Sequence, residues 1–263
     1  KMSIPELASQ LVKNSFSELK SSSSCSIIIA GSKNVGKSCL IHSFLEKNET
    51  PRESLVLEYS FGRKSSQKHG IDKTICHVWE YGGKLEMMKD VLTVIPVEPK
   101  SYFCVMIDLN KFRSLWNVLE ISLEAIEKNY KNRSMEIVMI GGNYDLFKNL
   151  DTDVKKLVCT TLRSVALLNN AHVIFYSQKE SALVKKVKDM FFGMAFGKGI
   201  SLKEKNTNFL KPLLIPKDTD SWENIGVPLS TLNQVVPNNK KSPNCYSKEN
   251  VYGNDFFYIN TFL

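Results

Sequence analysis

Metal-ligating spacing is missing from this sequence. Its six cysteines (Cys25, Cys39, Cys76, Cys104, Cys159 and Cys245) are scattered with no CxxC pair, and its four histidines (His42, His69, His77 and His172) are equally dispersed. That pattern predicts neither a zinc site nor a disulfide framework; the cysteines inside apolar runs read as reduced core residues of a cytosolic protein. No apolar run approaches the ~20 residues that cross a bilayer. Lys1 to Glu18 mixes acidic and polar residues without an apolar signal core. Neither membrane insertion nor a secretory signal is therefore expected. The last residues, Asn260-Thr261-Phe262-Leu263, hold no cysteine for prenylation, which disfavours a lipid-anchored switch. No basic stripe is interleaved with stacking aromatics, so nucleic acid is not an expected partner. The net charge of +8, from 35 Lys and Arg against 27 Asp and Glu, fits either a solubilising surface or an acidic partner.

What is present is enough apolar residue, 43% of 263, for one ordinary domain with appendages. Residues 4–18 place Leu7, Leu11, Val12 and Phe16 at near-helical spacing, which predicts an amphipathic N-terminal helix. The serine run Ser21–Ser24 comes next, like a linker. Strands are predicted over 26–31, 75–79, 102–108, 136–141 and 172–177, and helices over 38–46, 114–129, 152–168 and 180–195. Such alternation implies βαβ units, a mostly parallel sheet and right-handed crossovers that cover both faces. Three segments are expected: an N-terminal helix and linker over 1–22, an α/β domain over 23–197, and an irregular extension over 198–263, rich in Lys, Asn, Ser and Pro.

Between the first strand and its helix runs Gly31-Ser32-Lys33-Asn34-Val35-Gly36-Lys37-Ser38, a full GxxxxGKS phosphate loop in the context that motif requires. Glycines let successive amides turn inward onto a phosphate, and the helix N-terminus adds a favourable dipole. Gly31, Asn34, Val35, Gly36, Lys37, Ser38 and Cys39 are the candidate phosphate-binding residues. Lys37 is aimed at the terminal phosphates, and Ser38 is the Mg²⁺ ligand if a nucleotide is bound. The bland alternative is a glycine-rich turn that binds nothing. Lys33 stands where small GTPases usually carry glycine, close to the path of an attacking water or an arginine finger.

Two more fragments keep the order of a GTPase. Trp79-Glu80-Tyr81-Gly82-Gly83-Lys84 lies where Trp-Asp-x-x-Gly-Gln is usual. Glu80 keeps a carboxylate for Mg²⁺ and Gly83 an amide for the γ-phosphate, but Lys84 replaces the water-orienting glutamine. Gly142-Asn143-Tyr144-Asp145 lies where Asn-Lys-x-Asp reads guanine, and Ser177-Gln178-Lys179 resembles the Ser-Ala-Lys loop. Asn143, Asp145, Ser177 and Lys179 are thus the candidate base contacts. All of these fragments fall at strand ends, where open α/β sheets bind ligands. The fold expected is an α/β P-loop NTPase of Ras-like GTPase type. The expected cofactor is GTP or GDP with Mg²⁺, with an empty site as the alternative. Efficient hydrolysis is not expected, because phosphoryl transfer depends on the positioning groups that are missing. An active Rab-like switch is the rival reading.

Beyond these motifs the chain resembles the dynein light intermediate chains, above all those of cytoplasmic dynein 2. Leu57-Glu58-Tyr59-Ser60-Phe61-Gly62-Arg63-Lys64 is similar to a strand of that family. Trp79 to Gly83 resembles its Trp-Glu-Leu-Gly-Gly, and Tyr144-Asp145-Leu146-Phe147 its Tyr-Asp-Val-Phe. Ala195-Phe196-Gly197, Lys211-Pro212-Leu213 and Ile225-Gly226 with Pro228 continue the likeness. The segment Trp79–Gly83 argues against the light intermediate chain of cytoplasmic dynein 1. The resemblance implies a non-catalytic subunit that binds the dynein 2 heavy chain, together with other dynein 2 subunits and intraflagellar-transport particles. It also implies a place in the cytoplasm, cytoskeleton, cilium or flagellum, and basal body.

Overall fold

The computed structural model describes residues 24–65, 73–96, 98–131 and 133–226. The helix expected over 4–18 and the stretch 227–263 lie outside these residues. The first strand, β1 (Ser24–Gly31), is buried nearly end to end. Its Ile27-Ile28-Ile29 run has the β-branched composition of a strand covered on both faces. Helix α1 (Lys37–Leu45) comes after the loop, then β2 (Leu57–Ser65) and β3 (Lys73–Tyr81). A short helix, α2 (Met88–Val91), lies between two 3₁₀ turns and precedes β4 (Lys100–Asp108). Next come α3 (Leu115–Tyr130), β5 (Met135–Gly142), the single turn α4 (Tyr144–Phe147), α5 (Thr152–Leu168) and β6 (His172–Phe175). Helix α6 (Ser181–Phe196), the two-residue strand β7 (Leu214–Ile215) and the turn α7 (Trp222–Ile225) complete the described order.

These strands form one seven-stranded sheet in the order β2-β3-β1-β4-β5-β6-β7. Its interior is parallel: β1 pairs with β3 and β4, β4 with β5, and β5 with β6. Both edges are antiparallel, β2 on β3 and β7 on β6. Period-2 alternation divides the core in two. Ile28, Phe103, Met139 and Val173 face a cluster built with Met88, Leu119, Tyr130 and Leu162, on the side of α2, α3 and α5. Ile27, Ile29, Cys104, Met106 and Ile140 face the other way, onto Leu40 and Phe44 of α1 and Val187, Met190 and Phe191 of α6.

The five predicted strands and four predicted helices are present within a residue or two, the usual uncertainty of element ends. The strand predicted to reach 177 stops at Phe175, though Tyr176 still donates from its amide to the Gly141 carbonyl. Cys25, Cys76, Cys104 and Cys159 are free and buried in the core. Among the described residues no helix is long and apolar enough to cross a membrane. The segment after α6 lies against the sheet through β7. It is stapled to α5 by a two-pronged ion pair in which Arg163 Nε and Nη2 donate to Asp220 at 2.7 and 2.9 Å.

Candidate nucleotide site

At the carboxyl end of β1 the chain must turn in little space. The Ser32 amide donates to the Met106 carbonyl at 2.7 Å. A Cβ on Gly31 would sit 2.0 Å from that same oxygen, so only glycine fits there. Asn34 (φ 58) and Gly36 (φ 95) take left-handed backbone, which aims consecutive amides into one concavity. Gly36 caps α1 without any side-chain hydrogen bond, so the dipole of the first turn faces the concavity uncovered. Val35 is buried and closes the back of the loop.

Lys37 is also buried, and its Nζ donates to the Ser32 carbonyl at 2.7 Å, back into its own loop. Burial lowers the Lys37 pKa, and the nearby Glu80 opposes that shift. Ser38 Oγ donates to Glu80 Oε1 at 2.7 Å. Glu80 is itself buried; burial raises its pKa, while the hydrogen bond from Ser38 and the charge of Lys37 pull the other way. A serine hydroxyl and a carboxylate facing one another here are the oxygen donors a hard cation takes. The cavity they share is about 200 Å³ and is lined by Lys33 to Cys39, Pro51 to Ser54, Glu80, Gly82 and Gln178.

Lys33 sits on the rim, with its ammonium 3.6 Å from Glu53 Oε1. Gly83, expected at the γ-phosphate, is not among the lining residues; Gly82 is. The physical reason is the Tyr81 side chain. Its hydroxyl donates to the Lys84 carbonyl and lies 2.8 Å from where a Gly83 Cβ would be, which folds Gly83 over Tyr81 instead of into the cavity. Gly82 backs directly onto Ser54: its Cβ would fall 1.9 Å from the Ser54 carbonyl, and its amide donates to Val56 O at 2.9 Å.

The base-reading residues divide. Asp145 accepts from Ser177 Oγ at 2.7 Å and pairs with Lys179 Nζ at 2.8 Å. Lys179 leads in holding the Asp145 carboxyl below the usual range. Asn143, in left-handed backbone, turns away and donates to the buried Asp108 at 2.9 Å. Gly142 is pressed against the phosphate loop, where a Cβ would meet Val35 Cγ2 at 2.5 Å and Val35 O at 3.1 Å. An asparagine there would have to displace Val35. None of Asn143, Asp145, Ser177 and Lys179 lines the phosphate cavity.

The fit to a Mg²⁺-nucleotide is therefore uneven. The phosphate end has the cradle, the lysine and the oxygen donors that a magnesium polyphosphate takes. The base end holds its one carboxylate already paired. Residue patterns missed Arg52, Glu53, Ser54 and Gln178, which line the cavity from loops with no motif of their own. The likeness of Ser177-Gln178-Lys179 to Ser-Ala-Lys was the available signal for Gln178, whose Nε2 lies 2.3 Å from a Gly36 Cβ position.

Comparison with known proteins supports the same reading. The family model of the Ras of Complex (Roc) domain of DAPkinase matches residues 26–145. Cytoplasmic dynein 2 light intermediate chain 1 of Danio rerio is 29% identical, over 82% of this chain and 70% of its own length. The Bos taurus and Homo sapiens proteins of that name are 29% and 27% identical, over 83% and 82% of this chain and 72% of each relative. The crystal structure of the dynein light intermediate chain's conserved domain superposes with a TM-score of 0.52 at 11% identity, covering 77% of this chain and 84% of that one; at that identity the likeness is one of fold. Sheet, phosphate loop and relatives agree, and the chain is similar to the dynein light intermediate chains.

Proposed function

We propose that this protein is a non-catalytic subunit of the cytoplasmic dynein 2 motor that binds and stabilises the heavy chain on a degenerate GTPase fold. In that role it serves retrograde intraflagellar transport and cilium assembly, in the cytoplasm, the cilium and at the basal body. The observation that carries the proposal is its alignment with dynein 2 light intermediate chains along 82% of its length. The site supports the non-catalytic part. Lys84 occupies the position of the water-orienting glutamine, and Tyr81 holds the adjoining turn closed. Catalysis of phosphoryl transfer rests on positioning and charge stabilisation, and here the positioning group is replaced by a cation outside the cavity lining. GTP or GDP with Mg²⁺ is the proposed ligand, held without efficient turnover. Affinity purification of the tagged chain from ciliated cells should recover a dynein heavy chain with intraflagellar-transport proteins. Recovery of exchange factors or membrane effectors without dynein, with measurable hydrolysis by the purified chain, would overturn the proposal in favour of a Rab-like switch.

A further inference from the structure

Of the cations lining the phosphate cavity, one is unspent. Lys33 is paired with Glu53 at 3.6 Å, and Lys37 donates to the Ser32 carbonyl at 2.7 Å while facing Glu80. Arg52 also lines the cavity. Among the described residues its guanidinium has no hydrogen bond and no ion pair. It comes from Pro51–Ser54, the part of the lining outside the phosphate loop, on a segment whose position the fold fixes two residues later. Ser54 is buried and donates to Glu58 Oε2 at 2.8 Å, its carbonyl abuts Gly82, and the Gly82 amide holds Val56 O at 2.9 Å. That segment is the one beside Glu80 and Ser38, at the magnesium end of the site.

From this geometry we propose that Arg52 is an anion clamp supplied in cis to the terminal phosphate, which makes the site favour a nucleoside triphosphate over a diphosphate. The inference rests on the phosphate-loop reading of the proposed function and adds a residue to it. A planar guanidinium presents paired donors that match two oxygens of one phosphate. In this proposal Lys37 serves the phosphates from within the loop, and Arg52 meets the terminal one from the Pro51–Ser54 segment beside Glu80. Arg52 is exposed in the protein alone, so solvent screens it and the gain falls in the lower range for charge-assisted hydrogen bonds.

The test is titration of the full chain, with Mg²⁺, against the imidotriphosphates and the diphosphates of both guanosine and adenosine, so that the identity of the base does not decide the outcome. Arg52→Ala should weaken triphosphate binding about tenfold while diphosphate affinity stays within about twofold, and Arg52→Lys should fall between. Equal loss for both ligands, or no loss, overturns the clamp. Lys37→Ala is the control. If it leaves binding of both ligand classes untouched, or if the parent chain binds neither, the phosphate-loop reading itself fails and Arg52 with it.

Discussion

Glu80 carries a charge in a place that resists it. Burial raises its pKa, and the Ser38 donor and the charge of Lys37 offset only part of that cost. A carboxyl whose folded pKa is raised contributes most to stability below its unfolded value, about 4.3 for Glu. The contribution is lost as pH rises through the folded value. Ionised Glu80 is thus a net liability to the ligand-free fold. Glu80→Gln should be more stable than the parent at pH 8 by urea denaturation, with the advantage shrinking as pH falls toward the ordinary carboxylate range. Addition of Mg²⁺ and nucleotide should reverse the ranking, since the cation recovers the cost of the charge only when the charge is there. A variant less stable than the parent at pH 8 without ligand would contradict this account. Glu80 was legible in the sequence because it stands in a fixed motif. Arg52 and Ser54 were not, because their place is set by Gly82 packing on the Ser54 carbonyl, a contact between segments with no shared periodicity. Gly83 misled for a similar reason: the spacing fits, but the Tyr81 hydroxyl claims the turn.

At the scale of elements, the strands legible from pattern are those buried on both faces, where continuous apolar runs leave no other reading. The two edges escaped that logic. β2 presents Tyr59 and Phe61 to solvent, 46% and 57% exposed, so its composition does not alternate as a half-buried strand should, and only the family resemblance pointed to it. β7 is two residues long and depends on residues 216–226 to hold it in place. Arg163 and Asp220, with side chains only 10% and 5% exposed, tie that stretch to α5. Burial opposes ionisation of Asp220, but the Arg163 hydrogen bonds and charge outweigh it, and the carboxyl is held below its ordinary value. Its stabilising contribution is present above the unfolded pKa of about 3.9 and is lost as pH falls through the folded value. Arg163→Ala should cost about 2–3 kcal/mol at pH 7, somewhat less than the ~3–5 of a fully isolated buried pair. The reason is that Lys205 Nζ still lies 3.8 Å from Asp220. The cost should diminish in acid, and hydrogen exchange should show β7 opening first. An unchanged urea midpoint at pH 7 would mean the ion pair does not hold the extension.

For the whole molecule, the question is whether the phosphate site supports the fold or only occupies it. The sheet is braced by two continuous cores, and the cradle sits at the carboxyl ends of its strands, tied to one of them through Val35. Lys37 is the residue that separates the cases, since in the proposed complex it would meet the phosphates, and in the protein alone burial lowers its pKa. A ligand at ~100 times its dissociation constant stabilises the folded state by about 2.7 kcal/mol, and Lys37→Ala should abolish that increment. The same variant removes a buried charge whose burial is costly, so its ligand-free stability should stay within about 1 kcal/mol of the parent, the scale of the one hydrogen bond to Ser32 that it loses. If docking to the motor uses the fold and not the nucleotide, recovery of heavy chain with Lys37→Ala should equal that with the parent. Thermal melts with and without Mg²⁺ and GDP, run beside co-purification from ciliated cells, check both halves. A variant that loses heavy chain while its ligand-free melting is unchanged would make the nucleotide part of the docking surface. One that loses both would make it a folding cofactor.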